Sequence, residues 1–298
     1  MPKQKWGDKE KQAWFSKQRV KRSYKEEVLN KIDRLKSRYI VSQYGSLSID
    51  PDRYPLFLIR TQNWNENNPS VLITGGVHGY ETSGVQGALA FLDSEADKFA
   101  HHFNFIVAPC VSPWGYETIN RWDPLALDPN RSFYENSPAE ESAALMKVIN
   151  NLELSFLSHF DLHETTDTDN TEFLPALAER DASELVIWEI PDGFYVVGDT
   201  EKPNLSFQQA IIEEVKTITH IAPSDAEGKI IGEDSEGEGI INYACKKLGL
   251  CAGFSNSQFP TTTEVYPDSP SVTDSECTAA QVAAIKGGLN YLLRNLSP

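Results

Sequence analysis

Apolar residues along the chain follow two alternating patterns: short runs rich in β-branched residues, and longer stretches with helical spacing. The short runs predict strands at 54–61, 70–76, 103–111, 156–163 and 194–199. Helical spacing predicts an amphipathic helix at 24–39, with Val28, Ile32 and Leu35 on one face, and a second helix at 81–99. Strands that alternate with helices indicate an α/β sheet covered by helices on both faces.

The alternation continues to the C-terminus. A helix is predicted at 204–219, with Asn204 or Ser206 as its cap, and a short helix at 239–249 that ends at Gly249. Strands are predicted at 250–256 and 261–267. A helix at 273–296, with Thr273 or Ser275 near its start, closes the chain. No repeat or linker interrupts residues 40–298, so residues 39–298 are predicted to form a single domain.

Charge is distributed unevenly along the chain. The net charge is −16, yet residues 1–38 hold 13 Lys and Arg against 5 Asp and Glu, which leaves −24 on the rest. An acidic body argues against nucleic acid as a partner, because nucleic-acid binding requires a basic surface. Residues 1–38 are predicted to form a basic helical arm. The arm either binds anions or docks on the acidic body, and docking is favoured.

The sequence predicts neither a membrane partner nor secretion. No apolar run reaches the ~18–20 residues that span a bilayer. The start of the chain, MPKQKWGDKEKQAWF, lacks the apolar core of a signal peptide. The cysteines form no CxxC pair and are interpreted as small core residues of a reducing compartment; they are Cys110, Cys245, Cys251 and Cys277. A soluble, cytoplasmic protein is expected.

The stretch VLITGGVHGYETSG, residues 71–84, carries the first candidate chemistry. Its glycines have neither the G-x-G-x-x-G spacing of a dinucleotide loop nor the spacing of a P-loop. His78 in the strand-to-helix turn and Glu81 one helical turn later instead suit zinc, which binds imidazole nitrogens and carboxylate oxygens. Catalytic zinc commonly has three protein ligands, so a third is expected from elsewhere in the fold.

The segment HFDLHETTDTD, residues 159–169, offers that third ligand. His163 ends an apolar strand, and ligands of α/β sheets bind at the carboxyl ends of strands. Asp161 lies two residues earlier on the same strand face, where it would accept a hydrogen bond from a histidine. Four acidic residues lie around this strand end: Glu164, Asp167, Asp169 and Glu172. They favour a basic substrate or bind a second metal, or else they form a solvated loop.

Two arginines in one loop of an acidic body indicate anion recognition. Arg121 and the Asn130-Arg131 pair lie in SPWGYETINRWDPLALDPNRSF, residues 112–133. Guanidinium groups bind carboxylates and stabilise oxyanions. The alternative is a loop arginine that pairs with Asp123 or Asp128.

Together these pieces resemble the zinc metallocarboxypeptidases of the carboxypeptidase A type, the M14 family. HGYE (78–81) is similar to the family's HxxE zinc pair, and the loop at 112–133 to its NPDGY…R…LNRNF segment. DLH (161–163) is similar to the third ligand, and TTTEVYP (261–267) to the late strand with the catalytic glutamate. The pieces follow the family's order over roughly residues 24–296. The resemblance implies a single carboxypeptidase-like (phosphorylase/hydrolase-like) domain, with a mixed, mostly parallel sheet of about eight strands flanked by helices.

The same resemblance implies a role for each residue of the catalytic centre. His78, Glu81 and His163 would bind one Zn²⁺ ion. Glu264 would be the general base that acts on the zinc-activated water. Arg121 would polarise the scissile carbonyl and stabilise the oxyanion.

Substrate recognition follows the resemblance less closely. Asn130 and Arg131 would hold the terminal carboxylate of the substrate, although DPNR replaces the family's DLNR. Tyr243 is the candidate for the tyrosine that caps the substrate, but direct alignment of INYAC, residues 241–245, places Cys245 at that position.

The leading function from the sequence is a zinc-dependent metallocarboxypeptidase, a hydrolase that cleaves the amide bond next to a free C-terminal carboxylate. DLHETT, with HGYE and NRSF, is also similar to the aspartoacylase and succinylglutamate desuccinylase branch. A zinc amidohydrolase that acts on N-acyl amino acids is therefore the alternative. A second alternative is a non-catalytic member that binds a peptide tail, and the presence of Glu264 with the full ligand set argues against it.

Overall fold

A computed structural model describes residues 4–295. The strands are β1 (Tyr39–Ser46), β2 (Pro55–Thr61), β3 (Ser70–Gly75), β4 (Asn104–Ala108), β5 (Phe156–Glu164), β6 (Tyr195–Asp199), β7 (Lys229–Ile230), β8 (Glu233–Asp234), β9 (Ile240–Tyr243) and β10 (Phe259–Val265). The helices are α1 (Asp8–Phe15), α2 (Asn30–Leu35), α3 (Thr82–Ser94), α4 (Ala96–Phe99), α5 (Pro113–Thr118), α6 (Glu140–Asn151), α7 (Leu174–Arg180), α8 (Leu205–Val215), α9 (Cys251–Phe254) and α10 (Asp274–Asn295).

The described chain forms one mixed sheet of eight strands in the order β1-β2-β4-β3-β5-β10-β6-β9. The central strands β4, β3, β5 and β10 run parallel, as do β6 and β9, while β1/β2, β2/β4 and β10/β6 are antiparallel. One apolar cluster packs α3, α8 and α10 on one side of the sheet, and a second packs α6 on the other. The predicted α/β fold, with its mostly parallel mixed sheet of about eight strands, is confirmed.

The strands that lead to the site are buried, as their sequence predicts. All six residues of β3 are buried, and seven consecutive residues of β5 are buried from Ser158 to Glu164. Strands that are covered on both faces read as continuous apolar runs, which is the pattern of VLIT in β3. The central position of β3 and β5 in the sheet brings their carboxyl ends side by side.

Two C-terminal predictions were wrong in type. The segment 239–249, predicted as a helix, forms strand β9 and a turn, because Ile240 and Ile241 pair with Val196 and Val197 of β6. The segment 250–256, predicted as a strand, contains helix α9, whose Gly253 packs directly against the backbone of Cys245 and Lys246.

Two predicted helices are shorter than expected. The helix predicted at 24–39 is a wide π-type turn, Lys25–Leu29, followed by α2, and Tyr39 already begins β1. The helix predicted at 204–219 ends at Val215, and Asn204 precedes it without a side-chain cap. At the closing helix, Thr273 Oγ1 accepts a hydrogen bond from the Glu276 amide. Leu296, the last residue of that prediction, lies outside the described residues.

The N-terminal segment packs on the body of the protein. The Trp14 ring lies 6.0 Å from Trp114 and 5.6 Å from Trp122, centroid to centroid, and Phe15 stacks on Trp114 at 5.7 Å. These contacts place α1 against the loop that carries Arg121. The division into an arm (1–38) and a catalytic domain (39–298) stays a prediction.

Across residues 4–295, no helix is both long enough and apolar enough to cross a bilayer. All four cysteines are buried free thiols.

Candidate active site

Two histidines and a glutamate meet at the carboxyl ends of β3 and β5. His78 lies in the turn after β3, Glu81 directly precedes α3, and His163 is the penultimate residue of β5. Oε1 of Glu81 lies 2.7 Å from Nδ1 of His78, and Oε2 lies 2.7 Å from Nδ1 of His163. All three side chains are buried. The structure thus brings together the three residues that the sequence proposed as metal ligands.

Each imidazole turns its other nitrogen towards an aspartate. Nε2 of His163 donates to Oδ2 of Asp161 at 2.9 Å, and Nε2 of His78 donates to Oδ1 of Asp128 at 2.9 Å. A carboxylate that accepts the Nε2 hydrogen leaves Nδ1 for the metal, and such partners commonly accompany zinc-binding histidines. Asp161 was expected in this role. Asp128 was considered only as a partner for an arginine.

The donor set and its charges fit a divalent cation. Oε2 of Glu81 is buried, and its 2.7 Å approach to Nδ1 of His163 lacks hydrogen-bond geometry within residues 4–295, so a bound cation would satisfy it. Burial alone would raise the pKa of Glu81, but the imidazoles of His163 and His78 outweigh burial and lower it to about 2. Two imidazole nitrogens and a carboxylate, within 4.8 Å of one another, match the ligand types of a catalytic zinc site.

The glycines of the turn have a steric function. Gly76 has φ +58°, a left-handed conformation that favours glycine, and it turns the chain out of β3. Gly79 lies directly between the ligands, and a Cβ there would overlap the backbone of Tyr116, Gly115 and Ser112. The turn therefore lies flat on α5, with no room for a side chain at position 79.

Arg121 reaches the same centre from the loop after α5. Its Nε donates to Oδ2 of Asp128 at 3.2 Å, and its Nη1 donates to Oδ1 of Asp169 at 3.0 Å. Burial would lower the pKa of Arg121, but Asp128, Tyr80 and Asp169 hold it well above its usual value. The guanidinium is thus a fixed cation, and its Nη2 has no hydrogen-bond partner among residues 4–295.

The acidic residues after β5 are largely engaged in the fold. Glu164 accepts hydrogen bonds from the amides of Thr82 and Ser83 at the start of α3, at 3.1 and 2.6 Å. Asp169 accepts from Arg121 and Tyr80, and Asp167 accepts from the Tyr266 hydroxyl at 2.8 Å. Glu172 is exposed. The described residues place no second metal cluster in this run.

Asn130 and Arg131 lie side by side at the cavity wall. Asn130 is buried, its Oδ1 accepts from the amide of Cys251 at 2.8 Å, and its Nδ2 lies 3.4 Å from Nε2 of His163. The Arg131 side chain is exposed and makes no hydrogen bond or ion pair within residues 4–295. Its guanidinium is therefore available for an anionic ligand.

Glu264 lies beside the ligand strand. In the parallel β5/β10 pair, Glu264 is opposite His163. Oε2 of Glu264 accepts from the Thr165 hydroxyl at 3.0 Å, and that hydroxyl lies 2.7 Å from the hydroxyl of Tyr195. Burial raises the pKa of Glu264 to about 8; His163 lowers this pKa and Glu81 raises it, each by less than burial does.

A cavity of about 370 Å³ joins these groups. Seven of the eight site residues predicted from the sequence line it: His78, Glu81, Arg121, Asn130, Arg131, Tyr243 and Glu264. His163 lies behind its wall. Tyr243 is half-buried at the end of β9, whereas Cys245 is fully buried and directs its Sγ to the Gly198 carbonyl. Tyr243, rather than Cys245, therefore faces the cavity. A larger groove of about 900 Å³ lies between α2, α3 and α10, and none of the three metal ligands lines it.

A second polar cluster lies behind His163, and the sequence reasoning missed it. His159, Asp161 and Cys251 are mutually close and buried, but the Thr74 hydroxyl lies among them. Thr74 Oγ1 donates to Oδ1 of Asp161 at 2.6 Å and lies 2.9 Å from Nε2 of His159. The hydroxyl fills the centre of this cluster, so the cluster supports Asp161 rather than binds an ion. The alternation of His159, Asp161 and His163 along one face of β5 is the sequence signal that would have revealed it.

Similar folds occur in solved metallopeptidase structures. A proposed metallopeptidase from Shewanella amazonensis is 20% identical, with a TM-score of 0.67 over 90% of this chain and 92% of that chain. A metallo-carboxypeptidase from Burkholderia cenocepacia is 15% identical, with a TM-score of 0.63 over 91% and 70%. One from Pseudomonas aeruginosa, in complex with (2-guanidinoethylmercapto)succinic acid, is 14% identical, with a TM-score of 0.59 over 90% and 68%. These similarities establish the fold.

Sequence comparison gives a family match over part of the chain. No curated protein matches the chain. Residues 47–172 match the model of the zinc carboxypeptidase family, and this segment contains all three candidate metal ligands together with Arg121, Asn130 and Arg131. Glu264 and Tyr243 lie beyond the matched segment. This match and the carboxypeptidase-like fold support a relationship of the chain to the M14 zinc carboxypeptidase-like family.

Proposed function

We propose that this protein is a zinc-dependent carboxypeptidase that hydrolyses the amide bond next to a free C-terminal carboxylate. The observation that carries the proposal is the shared cavity. It joins two of the metal ligands to the half-buried carboxylate of Glu264, to the fixed Arg121 and to Arg131, which has no side-chain partner within residues 4–295. A binding module requires the anion site alone, whereas hydrolysis also requires the base and the electrophilic groups.

A zinc ion held by His78, Glu81 and His163 would supply a Lewis acid and lower the pKa of its bound water towards about 7. Glu264 accepts the proton of the attacking water and delivers it to the leaving amine. The raised pKa of Glu264 suits both steps, because a carboxyl with a pKa near neutrality holds the transferred proton long enough to release it. A nearby cation lowers that pKa and favours the carboxylate needed for the first step.

Arg121 and Arg131 have different tasks. Nε and Nη1 of Arg121 are held by Asp128 and Asp169, which leaves Nη2 to donate to the oxyanion that develops from the scissile carbonyl. Arg131 binds the terminal carboxylate of the substrate, together with the Nδ2 group of Asn130. Tyr243 covers the bound substrate from β9.

The test compares the kinetics and the zinc content of two variants, one at the proposed base and one at a control position. We expect Glu264→Gln to retain bound zinc and to lower kcat by about 10²–10⁴-fold, with little change in KM, because it removes a proton acceptor from the transition state. Glu172→Gln, which removes an exposed carboxylate from the adjacent segment, is the control and should match the wild type. Full activity of Glu264→Gln would refute the assignment of the base.

A separate experiment, a substrate screen of the wild-type protein, decides the substrate class. Dipeptides and N-blocked dipeptides with free carboxylates are compared with N-acyl amino acids at equal concentration. Turnover of the peptides supports the proposal, and turnover confined to N-acyl amino acids would establish the amidohydrolase alternative. Zinc-loaded protein that binds peptides without cleaving them would establish the non-catalytic alternative.

A further inference from the structure

The two peptide carbonyls between the metal ligands are held by an arginine from the N-terminal segment. Nη2 of Arg22 donates to the carbonyl oxygen of Gly79 at 2.9 Å and to that of Tyr80 at 3.2 Å. Gly79 and Tyr80 are the only residues between Glu81 and the ligand before it. Arg22 thus contacts the stretch of backbone that sets the separation of two metal ligands.

The same guanidinium also binds both flanks of the turn. Its Nη1 donates to Oγ1 of Thr82, the first residue of α3, at 2.6 Å, and its Nε donates to the carbonyl oxygen of Tyr116 in α5 at 2.6 Å. Its Cζ lies 3.5 Å from the centroid of the Tyr116 ring. All three guanidinium nitrogens are used, which requires the planar fork of arginine.

Arg22 is itself fixed in place. Its amide and that of Lys21 donate to the carbonyl oxygen of Glu117 at 3.2 and 2.7 Å, and the amide of Tyr24 donates to the Glu117 carboxylate at 2.9 Å. The segment around Arg22 therefore runs along α5, on which the metal-ligand turn also lies. Gly79 is pressed against α5, and Arg22 binds its carbonyl, so the turn is held by both.

We infer that Arg22 is a positioning residue for the metal centre: it fixes the Gly79 and Tyr80 peptides so that His78 and Glu81 face one ion. The inference rests on the proposed zinc site and extends it to the N-terminal segment. By this assignment the basic segment completes the catalytic centre from a position remote in sequence, although Arg22 touches neither the ion nor the substrate.

The test compares three full-length variants. Arg22→Gln removes the fork, Arg22→Lys keeps the charge but cannot serve all four acceptors, and Arg19→Gln is the matched control. Arg19 is exposed on the same segment, and within residues 4–295 its guanidinium bonds only to the carbonyls of Ser16 and Gln18. Zinc affinity is measured by competition with a chromophoric chelator, and ligand geometry by the visible absorption of the cobalt(II)-loaded protein. Thermal unfolding of the metal-free proteins records the purely structural effect.

We expect Arg22→Gln to bind zinc about 10–100-fold more weakly, the usual range for groups that orient metal ligands, and to show an altered cobalt spectrum. Arg22→Lys should recover part of the affinity, and Arg19→Gln should bind zinc as the wild type does. Zinc affinity of Arg22→Gln within twofold of the wild type, with an unchanged cobalt spectrum, would overturn the inference even if the melting temperature falls. If Arg22→Gln does not fold, the same twofold criterion applied to Arg22→Lys decides.

The outcomes separate this inference from the proposed function. Wild-type protein that binds zinc but hydrolyses no peptide refutes the carboxypeptidase and leaves the comparison of zinc affinities valid. Equal zinc affinities in an active enzyme refute only the role of Arg22. Wild-type protein that takes up no zinc refutes both.

Discussion

Replacing Asp161 with asparagine is the most informative change at the metal centre. Asp161 is fully buried, and its two oxygens accept from Nε2 of His163 at 2.9 Å and from the Thr74 hydroxyl at 2.6 Å. Asparagine keeps the shape and can still accept from His163. Its amide group must then face the Thr74 hydroxyl, which already has His159 on its other side at 2.9 Å. The change removes a negative charge. It also leaves one buried donor without an acceptor, among the new amide group, the Thr74 hydroxyl and the His159 ring.

The expected effect on zinc follows from the contacts of His163. Loss of a carboxylate that orients a ligating histidine typically weakens metal binding 10–100-fold, or about 1.4–2.7 kcal/mol. The substitution also changes the pH dependence of zinc affinity. In the wild type, Glu81 and then Asp161 hold the pKa of His163 well above its usual value, in spite of burial. Zinc must therefore displace a proton over most of the neutral range.

Asp161→Asn lowers the pKa of His163, because it removes one of the two carboxylates. The variant therefore loses less zinc affinity to protons as the pH falls. We expect the deficit against wild type to be largest near pH 8 and smaller near pH 6. The plot of log affinity against pH should be flatter for the variant.

The assay is zinc competition with a chelator of known pH dependence, at several pH values from 6 to 8. Asp52→Asn, at an exposed position remote from the site, is the control for loss of one negative charge. Equal zinc affinity of Asp161→Asn and wild type at pH 8, or parallel pH plots, would refute this account of Asp161.

Two further predictions concern other parts of the fold. Gly79→Ala places a methyl group into the backbone of α5, so we expect a loss of about 1–3 kcal/mol in unfolding free energy together with weaker zinc binding; a wild-type denaturant midpoint would contradict this. Glu141 is buried, and its Oε2 has no hydrogen-bond partner in the part of the chain that the structure describes. Burial, and to a smaller extent the charge of Asp123, raises the pKa of Glu141 to about 8. Because the folded state then holds a proton that the unfolded state releases above about pH 4.5, this group's contribution to stability is lost as the pH rises towards 8. Glu141→Gln cannot ionise, so its melting temperature should exceed that of the wild type by a margin that grows between about pH 5 and pH 8 and then levels off. At the upper end the margin corresponds to a difference in unfolding free energy on the order of a few kcal/mol. A difference in melting temperature that is constant with pH would contradict the burial of an ionisable carboxyl there.

The sequence was sufficient to predict those site residues whose signal lies within one short segment of the chain. His78 and Glu81 share one strand-to-helix turn, and His163 ends a run of apolar residues long enough to be read as a buried strand. Arg121 was found through its residue type in an acidic body. Its alternative pairing with Asp128 is also present, because one aspartate accepts from both Arg121 and His78.

The features that the sequence could not reveal depend on contacts between distant segments. Arg22 meets Tyr116 across 94 positions, and Thr74 meets His159 across 85, so no spacing rule links them. The short elements after residue 239 were assigned to the wrong type for the same reason. Four residues of β9 are strand because β6 pairs with them, and four residues of α9 are helix because Gly253 allows close packing on Cys245. In segments this short, tertiary contacts outweigh intrinsic preference.

The in-register pairing of Glu264 with His163 makes the active site more sensitive to chain length than to composition. Adjacent strands lie about 4.8 Å apart, so the offset between the base and this ligand is set by the hydrogen-bond ladder of β5 and β10, and no change of neighbouring side chains can adjust it gradually. Deleting one residue from the turn at 255–258 would move β10 by one position and bring Val265 opposite His163. Because side chains alternate between the faces of a strand, Glu264 would then point towards the helices on the other face. A deletion in this turn is therefore expected to disturb the site more than a substitution that keeps its length.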